Sequence, residues 1–120
     1  MALILVVEDD ETNQELVTRF LRRDGHRVIH AADGQEGIKQ ARTQMPNLIL
    51  MDLSLPGLDG WEATRRIKGN PYTENIPIIA LTAHTLSDDV MKAMEAGCDS
   101  YETKPVVYGR LMAKIRGFVE

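Results

Sequence analysis

Three short apolar runs constrain this chain more than any other feature: Leu3-Ile4-Leu5-Val6-Val7, Leu48-Ile49-Leu50-Met51 and Ile78-Ile79-Ala80-Leu81. None alternates with polar residues. A strand with one face in water must alternate, so these runs fit strands covered on both faces, as in a parallel sheet between helices. Arg27–Ala31 and Ser100–Thr103 are weaker runs of the same kind. Between the runs, residues recur at helical spacing: Leu16, Val17, Phe20 and Leu21; Trp61, Thr64, Ile67 and Lys68 as a mixed version; Val90, Met91 and Met94; Leu111, Met112, Ile115 and Val119. Gly25, Gly97 and the Asn70-Pro71 pair punctuate helix ends. The pattern predicts β1 (3–8), α1 (10–24), β2 (27–31), α2 (34–44), β3 (47–52), α3 (59–69), β4 (76–81), α4 (85–96), β5 (99–103) and α5 (106–119). Five strand-then-helix units in 120 residues predict an α/β domain with a doubly wound parallel sheet. In such sheets the functional site lies outside the carboxyl ends of the strands.

Composition narrows the function. Lys and Arg number 14 against 18 Asp and Glu, a net charge of −4. That balance argues against a broad nucleic-acid-binding face, which needs clustered cations. The single cysteine, Cys98, makes neither an internal disulfide nor a thiolate zinc site. No apolar run approaches the ~20 residues of a membrane span, and the N-terminus lacks the basic region of a signal peptide. A single cytoplasmic domain over residues 1–120 is the expectation.

The strand ends carry the chemistry. The first run is followed by Glu8-Asp9-Asp10-Glu11, the third strand ends in Asp52, the fourth is followed by Thr82, and the fifth ends in Thr103-Lys104-Pro105. If these ends converge, Glu8, Asp9 and Asp52 share a crevice. Two like charges ~4 Å apart at an effective dielectric of about 20 repel by about 4 kcal/mol. Such a crowd calls for a cation or for shifted pKa values. Lys104 supplies one positive charge. An all-oxygen donor set suits Mg²⁺, with Mn²⁺ as a substitute, and not zinc. An acidic pocket with a hard cation and a lysine is a place for a phosphoryl group, and Asp52 is the candidate nucleophile.

These residues form a recognisable set. Met51-Asp52-Leu53-Ser54-Leu55-Pro56-Gly57-Leu58-Asp59-Gly60, Leu81-Thr82-Ala83, Ala96-Gly97-Cys98-Asp99-Ser100-Tyr101 and Lys104-Pro105, with the acidic cluster after the first strand, stand in order along the chain. The sequence resembles the receiver domains of two-component response regulators over essentially its whole length. The resemblance implies a flavodoxin-like sheet of strand order 2-1-3-4-5. It implies that Asp52 is the phosphoacceptor, charged by a sensor histidine kinase or a histidine phosphotransfer protein. Asp9 and Glu8 would hold Mg²⁺ with Asp52 and the Ser54 backbone carbonyl. A one-residue slip of register makes the acidic pair Asp9 and Asp10. Thr82 and Lys104 would contact the phosphoryl group, Tyr101 would be the aromatic switch, and the Lys104-Pro105 bond would be cis. The output would be altered partner binding through the α4–β5–α5 face, with no output domain in this chain. Whether the chain stands alone or was cut from a larger protein is left open by the sequence.

Other readings compete. A phosphate-independent scaffold of the same fold would not need the Asp52, Thr82 and Lys104 set. An aspartyl-nucleophile phosphatase would place its nucleophile in Glu8-x-Asp10-x-Thr12. A flavin carrier would need a phosphate loop rich in Ser, Thr and Gly where this chain has four acids. Simpler roles are also assigned: Asp10 as a helix cap, Cys98, Met91 and Met94 as core, Trp61 as packing, Arg65, Arg66 and Lys68 as a solvated face, and His84 as a loop residue beside the pocket.

Overall fold

The computed structural model describes residues 1–55, 57–83 and 87–119, without the side chains of residues 87–89. Five parallel strands lie in the order β2-β1-β3-β4-β5. They are β1 (Leu3–Val7), β2 (Arg27–Ala31), β3 (Leu48–Asp52), β4 (Ile78–Thr82) and β5 (Ser100–Thr103). The helices are α1 (Glu11–Arg23), α2 (Gly34–Gln44), α3 (Gly60–Lys68), α4 (Ser87–Ala96) and α5 (Tyr108–Val119). Among the described residues, no helix is long and apolar enough to cross a membrane.

The unbroken apolar runs do what a two-sided sheet requires. Successive residues point to opposite faces. Leu5, Val7, Ile49, Met51, Ile78 and Ala80 pack against α2, α3 and α4 through Ala41, Ala63, Ile67 and Ala93. Ile4, Val6, Leu48, Leu50, Ile79 and Leu81 pack against α1 and α5 through Val17, Leu21, Leu111, Met112 and Ile115. The same parity places the strand-end chemistry. Glu8 continues the series Ile4-Val6, and Asp52 continues Leu48-Leu50. Both therefore emerge on the α1/α5 side. Thr82 follows Ala80 onto the opposite side.

Each expected element is present, and the differences lie at the ends. Asp10, Asp33 and Asp59 are caps standing outside their helices, each accepting backbone N–H bonds from the first turn. β4 is shifted forward to end on Thr82. Positions 85 and 86 of the expected α4, together with His84, Pro56 and Glu120, lie outside the described residues.

Four side-chain readings need correction. Met91 and Met94 are not core: they are 58% and 48% exposed, and α4 turns Ala93 and Ala96 inward instead. Leu16 is exposed because the buried stripe of α1 runs through Val17, Thr18 and Leu21. Lys68 is not a solvated-face residue like Arg65 and Arg66. Its Nζ donates to the Ile76 carbonyl at 2.8 Å and to Asp99 Oδ2 at 2.9 Å, crossing from α3 to the start of β5.

One glycine sets the distance between α3 and the strand that carries Asp52. A Cβ on Gly60 would lie 2.3 Å from the Asp52 carbonyl oxygen and 2.7 Å from the Leu53 Cα. Both neighbours are backbone, so neither yields by rotating. Gly60→Ala is expected to lower the unfolding free energy by about 2 kcal/mol, the usual scale of overpacking. Gly109→Ala, where a Cβ meets nothing within 4 Å, should be neutral or slightly stabilising. Urea denaturation of the two variants checks this, and equal midpoints would contradict it.

Candidate functional site

The carboxyl ends of β1, β3 and β5 bring three acids and one lysine together. Carboxylate oxygens of Glu8, Asp9 and Asp52 lie within 4.8 Å of one another. Glu8 and Asp52 are only 1% and 2% exposed, whereas Asp9 is open to solvent. Lys104 reaches in from beyond β5. Its Nζ donates to Glu8 Oε1 at 3.0 Å and pairs with Asp52 Oδ2 at 3.1 Å. The other oxygens are also held: Asp52 Oδ1 accepts from the Ser54 N–H at 3.0 Å, and Glu8 Oε2 from the Asp10 N–H at 3.4 Å. Thr82 is 3% exposed at the end of β4, and its carbonyl accepts from the Lys104 N–H at 2.8 Å. The Lys104-Pro105 peptide is cis.

Asp10 points elsewhere. Its Oδ1 accepts from the Thr12 N–H at 2.8 Å and the Asn13 N–H at 3.1 Å, capping α1. The acids that face Asp52 are thus Glu8 and Asp9. Tyr101 lies apart from the acids on β5, opposite Ala80 and on the same face as Thr82. Cys98 is buried, and burial foremost pushes its thiol up to about 11, so it is no nucleophile at neutral pH.

The electrostatics show a site short of positive charge. Burial, above all, raises the Glu8 carboxyl to about 7, reinforced by the hydrogen bond and charge of Asp52 and opposed by Lys104. Burial works to lower the Lys104 ammonium, but its bond to Glu8 and the charges of Asp52 and Glu8 outweigh it, so the net shift is upward. One lysine does not neutralise three carboxylates, and the Asp52 charge adds to the effect of burial in keeping a proton on Glu8. Oxygen donors crowded around unbalanced negative charge fit a hard divalent cation, with Glu8, Asp9 and Asp52 as the available side chains.

Comparison with known proteins now places the chain. Residues 4–116 match the model of the response regulator receiver domain. The chain belongs to this family. It is 44% identical over 116 residues to the transcriptional regulatory protein AfsQ1 of Streptomyces coelicolor, spanning 97% of this chain and 50% of that protein. It is 33% identical to the polar-differentiation response regulator DivK of Brucella anthropi, spanning 97% and 94%. The receiver domain of the sensor histidine kinase PA1611 from Pseudomonas aeruginosa superposes with a TM-score of 0.92 at 38% identity, over 98% of this chain and 97% of that one, and carries magnesium in its active-site cleft. The chemotaxis protein CheY4 of Vibrio cholerae, at 24% identity and a TM-score of 0.92 over 98% of each chain, shares the fold. Receiver domains of this family are signalling components of two-component systems.

Two buried features carry no plain mark in the sequence. Gly60 stood in the quoted motif, but its contact with the Asp52 backbone had no signal beyond the residue being glycine. Glu102, on the inward parity of β5, is 4% exposed and paired with Arg110 and Lys114. Alternation along Ser100-Tyr101-Glu102-Thr103 was the available clue.

The raised Glu8 carboxyl has a definite sign. Its protonated form favours the fold, so its contribution is complete below pH 4.5 and is lost as pH rises through about 7. Without divalent cations, the thermal midpoint of Glu8→Gln should gain on the parent protein across that window. Mg²⁺ should reverse the parent's loss, since ~100 Kd of a ligand adds about 2.7 kcal/mol. Calorimetry across the pH range checks this, and a constant gap between the two proteins would show that Glu8 titrates normally.

Proposed function

We propose that this receiver domain is a phosphorylation-controlled switch whose phosphoacceptor is Asp52. The observation that carries the reading is the buried Asp52 carboxylate at the mouth of the sheet, held by Lys104 at 3.1 Å among two further acids. An Asp52 oxygen forms the bond to phosphorus as the bond between phosphorus and the donor's imidazole nitrogen breaks, and the electron pair leaves with that nitrogen. The donor is a sensor histidine kinase or a histidine phosphotransfer protein. Lys104 stabilises charge on the transferring oxygens, and Thr82 hydrogen-bonds one of them. Mg²⁺ would be held by Asp9, Asp52 and the Ser54 carbonyl, with Glu8 beside it, and would supply the remaining positive charge. The proton that Glu8 retains up to about pH 7 competes with that cation.

The new dianion then biases the fold. Thr82 and Tyr101 lie on one face of the sheet, with Ala80 opposite the tyrosine. As Thr82 moves toward the phosphoryl group, the ring turns inward to fill the space it vacates. Moving such an equilibrium from 1:99 to 99:1 takes about 5.5 kcal/mol of differential binding, within reach of a few charge-assisted bonds and a cation. The readout is partner binding on the α4–β5–α5 face, where Met91, Met94 and Val107 stand exposed.

Acetyl phosphate with Mg²⁺ should add one phosphoryl group, seen by intact-mass spectrometry. Asp52→Asn and chelation of the metal should each abolish it. Lys104→Met should slow it by about 100-fold, the scale of removing one preorganised charge donor. An adduct that persists in Asp52→Asn would move the acceptor elsewhere and end this reading.

A further inference from the structure

β5 is one of the two outer strands of the sheet, so its two faces meet at an edge. Glu102, opposite Leu81, faces α5 and is 4% exposed. Tyr101, opposite Ala80, faces the other way and is 37% exposed. One side chain of α5 serves both. Lys114 Nζ lies 3.2 Å from Glu102 Oε2, donates to the Tyr101 carbonyl oxygen, and stands 4.9 Å from the centroid of the Tyr101 ring. Only at a sheet edge can a lysine stem pass from one face to the other. Arg110 Nε holds the second Glu102 oxygen at 3.1 Å. A carboxylate this buried is costly unless paired. It therefore pins the Lys114 ammonium, and that ammonium in turn sits against the tyrosine ring.

We propose that Lys114 is a positioning residue that holds Tyr101 in its outward orientation and so sets the resting ratio of the switch. The inference rests on the reading that phosphorylation draws the Tyr101 ring inward. The carbonyl bond of Lys114 survives that rotation, whereas the ring contact does not. A cation over an aromatic face at a half-exposed site biases a two-state equilibrium by about two- to five-fold. The same pinning explains why the buried Glu102 has two cationic partners: Arg110 satisfies the charge, and Lys114 relays its position to the ring.

Fluorotyrosine labelling and ¹⁹F NMR test this. The chain has three tyrosines, Tyr72, Tyr101 and Tyr108, and Tyr101→Phe assigns the signal. The solvent isotope shift of that signal reads how exposed the ring is, with and without Mg²⁺ and beryllofluoride as the phosphoryl mimic. Lys114→Met without the mimic should lower ring exposure toward the mimic-bound value, with the inward fraction up about two- to five-fold. Lys114→Arg, which keeps a cation able to stack on the ring, should restore the parent value. Arg110→Met, which removes the other partner of Glu102 and touches no ring, should leave Tyr101 unmoved. A folded Lys114→Met whose ring exposure equals that of the parent overturns the proposal. A ring that responds to Lys114→Met but ignores beryllofluoride upholds the hold and removes the switch reading instead.

Discussion

The Lys104 ammonium lies 3.0 Å from Glu8 and 3.1 Å from Asp52, and both carboxylates are buried. Neither acid would be tolerable there alone, because a desolvated charge without a partner is strongly destabilising. The lysine is 96 residues from Glu8 in the chain, so the pairing exists only once the sheet is complete. Strand parity arranges it: the series that faces α1 and α5 runs out, on β1 and β3, into an acid. Binding chemistry is thereby placed where stability is spent, a usual relation at functional sites. The excess of negative charge that remains suits the pocket to a hard cation.

The two faces of the sheet divide the labour. Glu8 and Asp52 emerge toward α1 and α5, while Thr82 and Tyr101 lie on the side of α2, α3 and α4. The proposed switch would therefore take in charge on one face and be read as packing on the other, the two meeting at the ends of β4 and β5. Lys104 and Thr82 touch through the backbone at that crossing, at 2.8 Å. A passage through strand ends demands no movement of the core, whose large side chains interlock and resist deformation.

How far the sequence could be read follows from which physics each feature obeys. The strands were visible because burial on both faces forbids polar alternation, and that constraint is local. The charged ends were visible because acids and a lysine rarely terminate such runs. The sequence reads Asp10 as a helix cap, but the one-residue slip of the acidic pair is excluded only in space, where Asp10 is seen on the amides of Thr12 and Asn13. Helical spacing shows that a stripe exists, not which way it faces, so Met91 and Met94 stand outside while Ala93 and Ala96 occupy the inner positions. Lys68 was misread because its partners at Ile76 and Asp99 are set by how α3 meets β5. Nothing in a run of basic residues marks the one that turns inward.

The contact between Gly60 and the backbone of Asp52 has a bearing on how such a domain can diversify. With no side chain as cushion between them, the first turn of α3 and the reactive strand behave as one stiff piece. Arg65 and Arg66, on the outer wall of that helix, are more than half exposed. Substitutions on that outer wall can therefore accumulate without disturbing the geometry around Asp52.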